Sequence, residues 1–423
     1  MKKVIGFDGW TTGSHHYQRL VKAFSDNGLE LILLHLGSWG SEKGRPTQEI
    51  IGCLRVRDIA YYGRRNFHEI LEMERPDAVV FLSTDAFAHR AFIRYCRQLN
   101  IPTVHLFHGL QQLMDSAPLR PSALQRLWLM RGHIGKLLRH FLPVYARSLW
   151  KTGASLSDWQ RFASDVVGRF RGRRPESAAQ DSKTDRACVY IDSEAVYAVR
   201  TYGYCREQVV AVGNPDLLSF GFSDGLVASR VKKSILLQDT VVYIDTALVD
   251  YGAVFSSKDD FVRHIAATSA ELARQGKRLI FKPHPSTGDD ITSKLAAAGI
   301  GVCANSEFLV DLQRSCACIT EPSSAALIPA MMGLPLFLAN YGKLARQEYG
   351  ELIEGYPRAR RISDMRDFSF ELAAESEHVN EAAVLQWITR NCGPRPASCM
   401  PERVAEVVLT LIDARCSASL GAA

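Results

Sequence analysis

The chain has 423 residues, more than one hydrophobic core usually supports, so two domains are the first expectation. Apolar residues make up 47% and charged ones 23%, the balance of a soluble globular protein, and no run approaches the roughly 20 apolar residues of a membrane-spanning helix. The net charge of +6 is modest, and the ten cysteines are scattered without a CxxC pair or zinc-type Cys/His spacing, which speaks against a disulfide framework and for free thiols in a reducing compartment.

The N-terminal "MKKVIGFDGW" runs straight into a strand-like segment with no signal-peptide core, so a cytoplasmic location is expected. "KKVIGF" is followed by a helical pattern from Ser14 and by the apolar run "LELILLHL"; "DAVVFL", a helix to about Leu99 and "TVHLFH" continue the rhythm. Short continuous β-rich runs separated by helices indicate parallel strands buried on both faces. Between Arg120 and Arg174 there are twelve Arg or Lys and two Asp, interleaved with Leu, Trp and Phe in "LQRLWLMRGHIGKLLRHFLPVYARSLWK". A basic helical region of this kind, about 119–174, can lie apolar side down on an anionic membrane surface, which would hold the protein peripherally at the inner membrane face. An ordinary packed helix with a solvated basic face fits the same letters. No nucleic-acid motif accompanies the charge, so no nucleic-acid partner is expected. "RFRGRRPESAAQDSKTDR" reads as an exposed polar loop, "ACVYIDSEAV" resumes the strand-helix pattern, and "QVVAVGNPDLL" closes the half.

The second half repeats the rhythm: "TVVYIDTALVDYG", a helix over 258–275, "RLIFKPHP", a helix over 291–298, "IGVCA", "CACIT", a helix opening at "EPSS", and "LPLFLAN". An amphipathic helix over 401–415 ends the pattern. Two successive doubly wound α/β units of this kind fit two Rossmann-like domains facing across a cleft: 1–214, 215–395, and a C-terminal helix and tail, 396–423. In such sheets ligands bind beyond the carboxyl ends of the strands, which points to Asp8, His108, Glu194, Asp245, His284 and Glu321.

Neither the dinucleotide fingerprint GxGxxG nor the phosphate loop GxxxxGK[ST] is present, which disfavours a nicotinamide enzyme or a P-loop kinase. In "CITEPSSAALIPAMMGLPLFLA", Glu321-Pro322-Ser323-Ser324 opens a helix; serines there suit either simple N-capping or an anion site reinforced by the helix dipole. Lys282 and His284 stand at another strand end of the same half, where both can donate to phosphate oxygens while Pro283 and Pro285 hold the loop extended.

With these two motifs the chain resembles GT-B glycosyltransferases that use CMP-activated acidic sugars. That group includes bacterial sialyltransferases and polysialyltransferases, and the Kdo transferases of capsule and lipopolysaccharide synthesis. The matching motifs are His284-Pro285 and Ser323-Ser324, and the resemblance runs at motif level over about 214–340. It implies that His284, Pro285, Ser323 and Ser324 serve the CMP part of the donor; Lys282, Glu321 and Asn214 join them as candidate nucleotide-sugar contacts. Many retaining GT-B enzymes with UDP or GDP donors carry a second glutamate about two helical turns past the first; here that place is Pro329, which weighs against those donors.

For catalysis, Asp245 in "YIDTALVDYG" is the first choice as a nucleophile giving a covalent glycosyl-enzyme and net retention, a role the resemblance to retaining Kdo transferases implies. A carboxylate capping the following turn is the plain alternative. Glu194, with Asp192 in reserve, is a candidate general acid or base, and His108, beside Gly109, a candidate base or acceptor contact. Asp8, His15 and His16 line the loop where GT-B enzymes commonly meet the acceptor. GT-B enzymes generally do without a divalent ion, so neither a metal nor a cofactor is expected, Lys282, His284 and a helix N-terminus supplying the positive field.

The expectation is thus a glycosyltransferase moving an acidic ulosonic sugar, Kdo first, from its CMP form to a surface-glycan or lipid-linked acceptor. The competing readings are an inverting sialyltransferase and a CDP-glycerol glycerophosphotransferase of the teichoic-acid type, which also shows His-Gly and His-Pro pairs. A nucleotide-sugar epimerase and a non-catalytic glycan- or nucleotide-binding subunit complete the set.

Overall fold

The computed structural model describes residues 1–421 except 10, 41, 43, 64, 110–133, 171–180, 220–237, 250–253 and 346. The basic region up to 133 and from 171 onward, and most of the polar loop after it, lie outside the described residues. Contacts divide the described residues into two compact units, one taking those up to Gly213 together with those from Ser398 onward, the other those of Asn214–Ala397.

The first unit is built on eight strands: β1 (Lys2–Asp8), β2 (Leu29–His35), β3 (Gln48–Ile51), β4 (Leu54–Asp58), β5 (Ala78–Phe81), β6 (Thr103–Leu106), β7 (Arg186–Val189) and β8 (Val209–Ala211). Their order is β3-β4-β2-β1-β5-β6-β7-β8, parallel throughout except for the antiparallel β3–β4 pair at the edge. The central strands are buried on both faces, which is why they read as continuous apolar runs. Val4, Leu31, Leu33 and Val80 pack under Tyr17, Leu20 and Phe24 of the helix Ser14–Asp26 and under Val404, Ala405, Val408 and Ile412 of the C-terminal helix Met400–Gly421. Those last four positions make the helical stripe expected of the tail, and Lys2 pairs with Asp413 at 2.6 Å. On the opposite face Ile5, Phe7, Leu34, Val79 and Phe81 meet the helices Phe67–Glu74 and Phe87–Gln98. Gly6 interrupts β1 because the Tyr17 ring lies where its Cβ would be, 2.5 Å away, while the Tyr17 hydroxyl donates to the Phe7 carbonyl at 3.1 Å.

The described part of the basic region forms helices Leu142–Lys151 and Leu156–Phe170 packed against Phe87–Gln98. Their inner side is tied by buried polar groups: Arg90 donates to Asp165 at 2.6 Å and to the Tyr145 hydroxyl at 2.8 Å, and Arg94 pairs with Asp181 at 2.7 Å.

The second unit holds β9 (Thr240–Ile244), β10 (Arg278–Lys282), β11 (Gly301–Val302), β12 (Ser315–Thr320), β13 (Leu336–Ala339) and β14 (Ala359–Ile362). The sheet is all parallel in the order β11-β10-β9-β12-β13-β14. Counted within the unit this is 3-2-1-4-5-6, the doubly wound order whose switch point lies between β9 and β12. All six residues of β12 are buried, as the alternating "CAC" run implies. The helix Lys258–Arg274 matches its expected span, while the next one, Asp289–Ala297, starts two residues early. Arg358, at the foot of β14, forms a buried two-pronged pair with Glu375 (2.6 and 2.7 Å) and donates to the Gly333 carbonyl at 2.7 Å. All ten cysteines are free, and no helix among the described residues is long and apolar enough to cross a membrane.

Candidate functional site

In the second unit three strand ends converge at the switch point: Asp245 after β9, Pro283-His284 after β10 and Glu321 after β12. Asp245 is only 2% exposed, and both its oxygens are engaged. Oδ1 accepts from the Ala247 amide at 2.7 Å; Oδ2 accepts from the His284 amide at 3.2 Å and from the Thr287 hydroxyl. Ala247 takes a left-handed conformation (φ 58°), which the Asp245 hydrogen bond helps to hold. This carboxylate therefore ties the β9 turn to the β10 loop. Its burial and these three bonds fit the turn-capping alternative to the expected nucleophile.

The "KPHP" loop gains its shape from the same bonds. The Thr287 amide donates to the His284 carbonyl at 2.9 Å, closing a turn with Pro285 at its second position, where a fixed φ is favourable. The Ser286 amide donates to His284 Nδ1 at 3.2 Å, and the Ser286 hydroxyl lies 2.8 Å from the same nitrogen. A backbone N–H can only donate, so Nδ1 holds a lone pair and the neutral ring carries its proton on Nε2. His284 is half-buried and presents a donor. Lys282 points elsewhere: it is buried, its Nζ donates to the Pro283 carbonyl at 2.8 Å and sits 5.5 Å from the Phe308 ring centre. Burial pushes its pKa down, against the raising influence of Cys303 and Asp245. The expected exposed phosphate donor is thus an inward-facing amine.

Glu321 is fully buried. Oε1 accepts from the Tyr243 hydroxyl at 2.9 Å, and Oε2 from the Thr246 amide and hydroxyl at 3.0 and 2.7 Å. Burial first, and then the neighbouring Asp245 charge, raise its pKa to about 8. Ser323 is the N-cap of a short 3-10 turn, Ser324–Ala326, which continues into helix Leu327–Met331. Its hydroxyl accepts from the Ala325 amide at 3.2 Å, whereas Ser324 is exposed. Pro322 thus precedes the cap instead of standing in the first turn. Asn214 is buried, and its Oδ1 accepts from the Asp216 amide at 3.0 Å, starting the short helix Asp216–Ser219.

In the first unit the expected acid or base Glu194 is buried, with Oε2 accepting from the Tyr190 and Ile191 amides at 2.8 and 3.1 Å. It finishes the end of β7, while the reserve residue Asp192 is exposed and paired with Arg206. His108, two residues past β6, is different. Its Nδ1 lies 2.8 Å from the Leu82 carbonyl, which can only accept, so Nδ1 carries the proton and Nε2 presents a lone pair. The ring is exposed, and Gly109 follows at φ 95°, a conformation that favours glycine. His16, near the start of its helix, approaches edge-on at 5.6 Å. Burial, aided by His15, Arg19 and His108, lowers the His16 pKa to about 3. His15 stands beside it with ring centres 3.9 Å apart. Asp8 Oδ1 accepts from the Gly9 amide at 2.5 Å. Among the described residues no group of three or more His, Cys, Asp or Glu could hold a metal ion.

Sequence reasoning missed Thr287, Thr246 and Tyr243, which position the two carboxylates, and the carbonyl of Leu82, which orients His108. Thr287 lies within three residues of the His-Pro pair and was open to a side-chain-to-turn reading; the other partners are brought in by neighbouring strands.

No protein-family model matches the chain, and no curated protein sequence matches it. Solved structures do. A histidine-to-asparagine variant of the wall teichoic acid polymerase TagF, soaked with CDPG, is 11% identical with a TM-score of 0.51, over 98% of this chain and 90% of that one. The calicheamicin glycosyltransferase CalG4 is 13% identical (TM-score 0.43; 100% and 98%), and S. aureus MnaA with UDP also 13% (0.47; 97% and 98%). The likeness to TagF, at 11% identity, speaks for fold alone. The fold is of the GT-B type: two α/β units with parallel sheets.

Proposed function

We propose that the chain is a transferase that moves an acidic ulosonic sugar, Kdo first, from its CMP-activated form to a hydroxyl of a surface-glycan or lipid-linked acceptor. Transfer is by direct displacement, without an Asp245 adduct. Each unit supports its part of this reading: in the first, the neutral His108 ring keeps an acceptor at Nε2, and in the second, the neutral His284 ring keeps a donor at Nε2. His108 takes the proton of the acceptor hydroxyl as the new C–O bond forms, and its Nδ1–H, bonded to the Leu82 carbonyl, steadies the resulting imidazolium. His284 donates to the phosphate of CMP as the old C–O bond breaks. In this reading the exposed Ser324 adds a second donor. Asp245, which accepts from the His284 amide, holds the backbone that presents His284.

The exposed side of the basic helices supports the membrane part of the reading. Trp150 and Leu156 are 74% and 76% exposed, with Arg139 and Lys151 exposed in the same region. An anionic surface would cover the apolar groups and neutralise the cations.

A second reading, transfer of a glycerol phosphate unit from CDP-glycerol, is favoured by the fold likeness to a teichoic acid polymerase structure soaked with CDPG. It uses the same two histidines and the same cytidine nucleotide. Purified protein incubated with CMP-Kdo generated in place, CMP-sialic acid and CDP-glycerol separates the readings by which donor releases CMP. Turnover of CMP-Kdo that falls about 100-fold or more in His108→Asn supports the first. Turnover of CDP-glycerol alone moves the second to the front, and release that is unchanged in His108→Asn refutes the assigned base.

A further inference from the structure

A cavity of about 290 Å³ opens in the first unit beyond the carboxyl ends of β2 and β4, separate from the residues assigned above. One wall is aromatic: Trp39, just past β2, stacks on Phe67 at 5.9 Å and 22°. Arg65 and Arg147 line another wall. Arg65 donates to the Tyr62 carbonyl at 3.2 Å and has no carboxylate partner among the described residues; Arg147 has no hydrogen-bond or ion-pair partner among them. The neighbouring carboxylate, Glu69, accepts from the Asn66 amide at 3.0 Å in a capping box and does not line the cavity. The Asn66 side chain completes that box, so the helix start needs no ligand.

Tyr95 points to an occupant. It lines the same cavity, is only 1% exposed, and its hydroxyl has no hydrogen-bond partner. A buried hydroxyl left unpaired is costly, and such groups call for an explanation where they occur. Two unneutralised guanidinium groups, an orphan hydroxyl and a stacked aromatic wall together describe a receptor for a compact molecule with a charged oxygen group and a carbon face.

We propose that this cavity binds a small organic anion bearing a phosphate or a carboxylate, with the anionic oxygens held by Arg65 and Arg147, the Tyr95 hydroxyl donating to them, and the carbon skeleton against Trp39 and Phe67. The site is independent of the donor reading, so its test does not use turnover. Isothermal titration with glycerol 3-phosphate and with glucuronate should give one site, weakened by added salt; the tighter probe identifies the anionic group. Arg147→Ala should weaken that binding about tenfold or more, the loss of one charge-assisted fork. Tyr95→Phe should weaken it several-fold while leaving the melting temperature of the free protein unchanged or raised, because it removes a group that is unpaired there. The proposal is overturned if neither probe binds, if either variant binds as tightly as the wild type, or if CMP displaces the probe one for one, which would put the probe in the nucleotide site.

Discussion

Replacing Glu321 by Gln should reverse the order of stability between low and high pH. In the fold this carboxyl is fully buried and its pKa is raised from 4.5 to about 8, by burial first and by Asp245 second. Between those two values the folded state holds a proton that the unfolded chain has released. Stability from this group is therefore complete below about pH 4.5 and is lost as pH rises through 8. The slope reaches at most ~1.4 kcal/mol per pH unit, and the whole window has a ceiling of about 4–5 kcal/mol. Glutamine is isosteric and does not titrate; its NH2 can donate to the Tyr243 hydroxyl as the protonated carboxyl does, but it brings a second N–H into the buried site, costing ~1 kcal/mol at low pH. Urea unfolding of both proteins from about pH 5 to about pH 8 should give crossing curves, the wild type more stable in acid and the variant more stable in base. Parallel curves would mean that Glu321 is ionised in the fold, and the account of the switch-point carboxylates would be wrong.

Asp245→Ala strands three donors and should destabilise the protein by ~2–4 kcal/mol in urea titration; a wild-type midpoint would deny its role as the loop's tie. Intact-mass measurement of the wild type after incubation with CMP-Kdo should show no added sugar, and an adduct that disappears in Asp245→Asn would restore the nucleophile. Arg358→Ala leaves Glu375 buried and uncompensated and should cost ~3–5 kcal/mol, read as a drop in melting temperature; a loss below 1 kcal/mol would contradict the buried pair. Co-sedimentation with phosphatidylglycerol vesicles should exceed that with neutral vesicles and fall with salt. Equal binding to both would remove the electrostatic membrane reading.

Much of the architecture was legible because buried parallel strands write themselves as apolar runs. β1, β2, β5, β9, β10, β12 and β13 all coincide with such runs, and the two motif loops follow β10 and β12 as expected. The strands that escaped notice are the edge strands β3 and β14 and, next to β3, β4. β14, "ARRI", buries only Ile362, so charge masks it; β4, "LRVRD", does alternate buried Leu54 and Val56 with more exposed arginines, a period-two signal that was there to be read. The candidate site was legible as residue types at strand ends, but not as orientation. Asp245, Glu194 and Lys282 look like open functional groups in one dimension. Each is drawn inward by backbone groups close by in the chain or, for Asp245, by the next strand's loop. The proton states of His108 and His284 depend on one carbonyl and one amide whose positions only the folded loops define.

The measurement that tests the central claim most directly is a thermal-shift titration of the wild type and His284→Ala with CMP, CDP, UDP and GDP. The account predicts that the cytidine nucleotides raise the melting temperature of the wild type most, and that the rise shrinks in the variant, which lacks the Nε2–H donor. A preference for UDP or GDP, no response to any nucleotide, or an undiminished response in His284→Ala would contradict it.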